Sequence, residues 1–296
     1  MTKPGARSYG ALTAEAVGVL LKEMVRRAIE AIQAQQFTFE AEHKTTSYSD
    51  VDVVTSVDRA AQEIYLKLIR ECLPAVGIIA EEDELRVPPA DGCDLYVTVD
   101  PLDGTRAFTR RQSHGVGTMI ALLEADEVLS AYVGDVMTKE IFGYRPESTR
   151  VHRISQYNIG THLGSPHDVP LGLRYLLLRD EPVQFSEFAQ RLFFHPDERM
   201  FRSFEITSGS VGIQFSRLWK DEVGGILFRP GAVTPWDYNP VYGITNRMGF
   251  VFLEVHDDGL VQARTRAIRD FTPMDYETLV VHRSRLGDLQ SALKTP

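Results

Sequence analysis

Three apolar runs in this chain stop on carboxylates, and that pattern constrains its fold more than any other. GIIA (77–80) runs into Glu81 and Glu82, YVTV (96–99) stops at Asp100 with Asp103 close behind, and TPW leads into Asp237. Short apolar runs bounded by turn residues read as buried strands. Strands that end on acids can bring those acids together on one rim of a sheet. Neighbouring carboxylates repel, and burying them is costly unless a proton or a cation joins them. Hard oxygen donors without His or Cys select Mg²⁺, Mn²⁺ or Ca²⁺ rather than zinc. Each fragment alone has a plainer account: PLDG makes a good turn, and EEDE a solvated face.

The rest of the chain supplies a scaffold for such a rim. Helical spacing of Leu12, Ala16, Val19, Leu20, Met24, Ala28 and Ile32 predicts an amphipathic helix over 11–36. Thr55 and Asp58 have the spacing of a capping pair, and a second helix runs to about Cys72, before Pro74. DLYVTVD predicts a strand ending at Asp100. Residues 116–123, 128–135 and 140–144 read as a meander of three strands. Pro, Gly, Ser, His and Asn become dense at 146–170, which places a boundary between an N-terminal domain, 1–148, and a C-terminal domain, 149–296. Beyond it, SGSVG leads into a helix, GGILF is a strand, PWDYNP opens a helix and FVFLEV is a strand. ETLVVHRSRLGDLQSAL reads as a final strand and helix. Alternating helices and meanders make an α+β or mixed α/β layered protein.

Composition excludes several functions. Lys and Arg number 32 against 41 Asp and Glu, a formal charge of −9, which disfavours a nucleic-acid polymer as the main partner. Two cysteines, Cys72 and Cys93, make neither a disulfide framework nor a Cys-rich zinc site, and fit a reducing cytoplasm. The sequence predicts no secretory leader and no membrane span. A calcium hand starting at Asp100 fails, with Thr105 at the glycine position and Arg111 at the closing glutamate. SGSVG has Ser208 where a nucleophile elbow needs glycine. His114, His162 and His167 read as surface residues.

The motifs together are more specific. DPLDGTRAF resembles the DP-(I/L)-DGT-x-x-F signature of the inositol monophosphatase family of magnesium-dependent, lithium-sensitive phosphatases. DVVTSVD, IIAEED, GSVG and PWDYNP resemble that family's companion segments and follow in its order. The resemblance implies a layered αβαβα sandwich, a homodimer and Mg²⁺-dependent hydrolysis of a small phosphate monoester by a metal-activated water. It implies two or three Mg²⁺ ions, with Mn²⁺ as a substitute. Glu81, Asp100 and the Leu102 carbonyl would hold one metal, and Asp100, Asp103 and Asp237 the second. Thr105 would orient the water with Glu81, or serve only as a helix cap. Asp52 would stand behind them, or be a turn residue. Gly104, Thr105, Arg106, Gly209 and Ser210 would line the substrate site, and Trp236 would pack to position Asp237.

The chain also departs from the family. Ala80 replaces the usual glycine before Glu81, Ala107 the usual asparagine, and TNRMG the usual Glu-Ala-Gly-Gly. Arg229 stands near the glutamate that accepts from inositol hydroxyls, and guanidinium prefers phosphate or carboxylate. It is either a substrate contact or a surface arginine. These departures keep a 3′(2′),5′-bisphosphate nucleotidase and a histidinol-phosphate phosphatase open as alternatives, and outside enzymes a metal-binding regulator without catalysis.

Overall fold

The computed structural model describes residues 7–44, 52–194 and 199–290, with backbone alone at 43–44 and 52–53. Helix α1, Ala14–Ala34, starts at Thr13, whose hydroxyl accepts from the Ala16 amide, and buries Val17, Leu21, Met24, Val25, Ala28, Ile29 and Ile32 along one stripe. Helix α2, Ser56–Cys72, opens on the expected capping box of Thr55 and Asp58. The others are α3 Thr105–Thr109, α4 Glu187–Arg191, α5 Val211–Trp219 and α6 Pro235–Arg247.

An eight-stranded sheet runs in the order 160–162, 152–154, 141–144, 127–135, 117–124, 95–103, 77–80, 86–87. Its 77–80 and 95–103 strands are parallel neighbours. The strand expected to stop at Asp100 continues to Asp103. Its register with the 117–124 strand slips between those two aspartates, where Pro101 has no N–H for the ladder. The three meander strands form as expected, and His152–Ile154 and Gly160–His162 carry the sheet past the compositional change at 146. A six-stranded sheet follows in the order 203–206, 175–178, 225–228, 277–282, 250–256, 259–262. After His282 the expected helix is replaced, among the described residues, by a 3-10 turn over Arg283–Arg285.

Helices α1 and α2 pack together on one face of the larger sheet. Val97, Val99, Ile120, Leu122 and Tyr132 meet them there. Met119, Ala121, Ala131 and Val133 point the other way, into a core with Phe215, Trp219 and Val241 of α5 and α6. Those two helices also touch the smaller sheet, whose far face packs on α4 through Phe185, Ala189 and Leu192. The layers are α, β, α, β, α, as expected, and strand alternation produces them by sending successive side chains to opposite faces.

Candidate metal centre and active site

The cleft forms where the 77–80 strand ends beside its parallel neighbour, which runs on to Asp103. Ala80 pairs with Val99, so Glu81, just past the end of its strand, and Asp100, still paired with Met119, stand at the same level. The Glu81 amide donates to Val99 O at 3.2 Å. The register slip after Asp100 brings Asp103 to the same side. Asp100 Oδ1 accepts from the Leu102 amide at 3.0 Å, which fixes the turn. Beneath it, the Thr118 hydroxyl lies 3.3 Å from the Asp100 carbonyl and 2.7 Å from the Tyr65 hydroxyl.

Asp103 and Asp237 are each held at the start of a helix. Asp103 accepts from the α5 amides of Val211 at 3.1 Å and Gly212 at 2.8 Å, and from the Ser210 hydroxyl. Asp237 sits in the first turn of α6, where the Thr234 hydroxyl lies 2.9 Å from its Oδ2. The positive ends of both helices therefore face the cleft. Asp100, Asp103 and Asp237 each bring an oxygen within 4.8 Å of the other two.

That clustering shifts protonation. Burial first, then the charges of Glu81, Asp103 and Asp237, push the Asp100 carboxyl well above the usual range. Asp103 rises to about 6, through burial and then the Asp237 charge, while the Ser210 and Gly212 hydrogen bonds and Arg179 pull it back. A divalent cation supplies the opposite charge that lets all three ionise together. The donors are oxygens alone, so the residues fit Mg²⁺ or Mn²⁺.

Behind the carboxylates stands Thr105. Its hydroxyl lies 3.0 Å from Asp58 Oδ1 and 3.0 Å from the Leu102 carbonyl, and with one proton it donates to one of them at a time. Asp58 is buried, and burial, with the Glu82 charge adding, lifts its carboxyl to about 6 against the bonds from Thr55 and Thr105. The floor of the cleft is main chain. Gly104 and Gly209 both have φ +90°, and a Cβ on either would come within 2.3 Å and 2.5 Å of Gly115 O. That carbonyl accepts from the Ser210 amide at 2.8 Å. Only glycine permits such an approach in the left-handed region.

A family model described as the inositol monophosphatase family matches residues 14–288. The chain belongs to the inositol monophosphatase family. Among curated relatives, the protein named Nus factor SuhB from Salmonella typhimurium (strain LT2) is 36% identical over 92 residues, 31% of this chain and 33% of that protein. The Escherichia coli K12 protein of that name is 37% identical over 93 residues, again 31% and 33%. The match therefore spans about a third of the length of these curated relatives. Among solved structures, an IMPase/NADP phosphatase complexed with Mg²⁺ and phosphate superposes with a TM-score of 0.68 at 15% identity, over 96% of this chain and 97% of that one. The extragenic suppressor protein SuhB of Bartonella henselae gives 0.69 at 14% identity, over 95% and 100%. At these identities the likeness is one of fold.

Most site residues expected from the sequence share this one cleft: Glu81, Asp100, Leu102, Asp103, Gly104, Thr105, Arg106, Gly209 and Asp237 all line it. Ser210 is fully buried behind Asp103, which it holds, and it caps α5 through the Ile213 amide at 3.0 Å. Arg229 lines an adjoining pocket and donates to Gln184 Oε1 at 2.7 Å. The Asp52 side chain lies outside the described residues. Asp58 stands behind Thr105, and its capping role uses only one of its two oxygens. Trp236 is buried and also forms part of the cleft wall. Arg179 escaped sequence reasoning. It lines the cleft, donates to Gly209 O at 3.1 Å and draws the Asp103 carboxyl down. The signal was present in LLLRD, another apolar run ending on a charge.

Proposed function

We propose that this protein is a Mg²⁺-dependent phosphomonoesterase acting on a small phosphate ester. The convergence of Asp100, Asp103 and Asp237 carries the reading. Asp100, Asp103, Asp237, Glu81 and the Leu102 carbonyl would hold two or three Mg²⁺ ions, with Mn²⁺ as a substitute. When bound, Mg²⁺ neutralises the phosphate and lowers the pKa of a water. Water oxygen bonds to phosphorus and gives up one proton to solvent, the ester P–O bond breaks, and the leaving alkoxide takes one proton from solvent, so that alcohol and hydrogen phosphate are released. Glu81 and Thr105 orient the attacking water, and Asp58 fixes the Thr105 hydroxyl. The Gly104 and Gly209 main chain and Arg106 seat the phosphate, with Arg179 adding positive charge. The 1–148 domain supplies most metal ligands, and the 149–296 domain supplies Asp237. The working form is a lithium-sensitive homodimer in the cytoplasm.

Phosphate release from a panel of inositol, sugar, histidinol and nucleotide phosphates, with and without Mg²⁺, tests this. Asp100→Asn and Asp237→Asn should each lower Mg²⁺-supported turnover by at least about 100-fold, the upper range for disturbing a metal's supporting residues. Turnover unchanged in either variant would sink the assignment. The relatives named Nus factor SuhB favour a second reading, a Nus-factor role without catalysis. That reading predicts no phosphate release from any ester.

A further inference from the structure

Beside the metal cleft lies a second pocket, and the two share Arg179 and Asp237. An ester whose phosphate sits at the carboxylates has this pocket next to its leaving group. Phe215, Phe228, Val233, Tyr238, Val241 and Phe252 are among the residues that line it. Phe215 and Phe228 stack with ring centroids 5.5 Å apart at 11°. Tyr238 and Tyr242 stack 5.2 Å apart at 10°.

Apart from the Tyr238 hydroxyl, the polar side chains around the pocket each already have a partner. The Tyr242 hydroxyl donates to Thr265 O at 3.2 Å and the Thr278 hydroxyl to Tyr276 O at 3.3 Å. Arg229 is turned to Gln184 and Arg179 to Gly209 O. A polyol needs acceptors as well as donors for each hydroxyl, and burying hydroxyls without partners is unfavourable. An apolar ring needs neither. The pocket measures about 170 Å³, close to the ~150 Å³ of an apolar cavity that takes up one benzene molecule.

We infer that the alcohol released by this phosphatase carries an apolar aromatic ring, seated among Phe215, Phe228 and Tyr238, rather than a polyhydroxylated one. The inference rests on the phosphomonoesterase reading and names its substrate class.

The test compares kcat/KM for 2-phenylethyl phosphate, inositol 1-phosphate and glycerol 2-phosphate with Mg²⁺ present. The phenylethyl ester should exceed the inositol ester by at least about 10-fold, within the ~10–200-fold that hydrophobic pockets discriminate. Phe228→Ala should cut that ratio about 10-fold, mainly by raising KM for the aromatic ester. Val233→Thr keeps the volume, adds a hydroxyl and should move the ratio the same way, which guards against a misfolded Phe228 variant. Equal or better turnover of inositol 1-phosphate, or a ratio unmoved in both variants, overturns the inference. Turnover of glycerol 2-phosphate in that outcome leaves the phosphatase reading standing. No turnover of any ester removes both.

Discussion

The Ser210→Ala substitution should destabilise this protein by an amount that depends on pH. The Ser210 hydroxyl does two things: it accepts from the Ile213 amide as the cap of α5 and donates to Asp103 Oδ2. Losing a serine cap costs about 1 kcal/mol at any pH. A hydrogen bond to a charged group is worth about 1.5–3 kcal/mol, and only while the group is charged. Burial and the Asp237 charge raise the Asp103 carboxyl from its ordinary 3.8 to about 6 in the folded chain. Raising pH through about 6 therefore puts a buried charge into the fold, and this group's contribution to stability falls. The Ser210 hydroxyl offsets part of that loss, above that pKa only. The loss on substitution should then be about 2.5–4 kcal/mol at pH 8 and about 1 kcal/mol at pH 5. Urea unfolding of both proteins in EDTA at the two pH values measures it. An equal loss at both pH values would refute the assignment of Asp103 as the charged acceptor.

Thr105→Val keeps the shape but removes the hydroxyl that reaches Asp58 and Leu102 O. Mg²⁺-dependent kcat should fall about 10–100-fold, while Thr105→Ser should retain most activity; equal loss in both, read by phosphate release, would point to packing instead. Adding Mg²⁺ at 100 times its Kd should stabilise the fold by about 2.7 kcal/mol at neutral pH. Protons compete for the raised carboxyls of Asp100 and Asp103, so Mg²⁺ affinity measured by calorimetry should weaken as pH falls through about 6; a flat profile would count against those ligands.

Much of this was readable from the chain. Asp100, Asp103, Glu81 and Asp237 stood out because an apolar run that stops on an acid is hard to explain by burial alone. The capping box at Thr55 and Asp58 and the stripe of α1 are local patterns, and local patterns survive into the fold. What did not show was set by contacts distant in sequence. Arg179 reaches Gly209 across 30 residues, and no spacing rule anticipates that. The strand past Asp100 persists because Gly117 pairs with Asp103 on the far side of the slip. His152–Ile154 and Gly160–His162 are short and mostly exposed, so they carry no apolar alternation to read. The helix expected after His282 meets Gly287, and Arg285 is drawn instead to Asp168 at 3.1 Å.

The glycine contact at Gly104, Gly115 and Gly209 has an evolutionary consequence. The seam that brings Asp103 to α5 is built from peptide groups, and peptide groups do not change when side chains mutate. Residues such as Phe228 or Arg229 can drift without moving the carboxylates. Side chains of the neighbouring pocket can thus change while the carboxylates keep their places, with only Arg179 and Asp237 common to both.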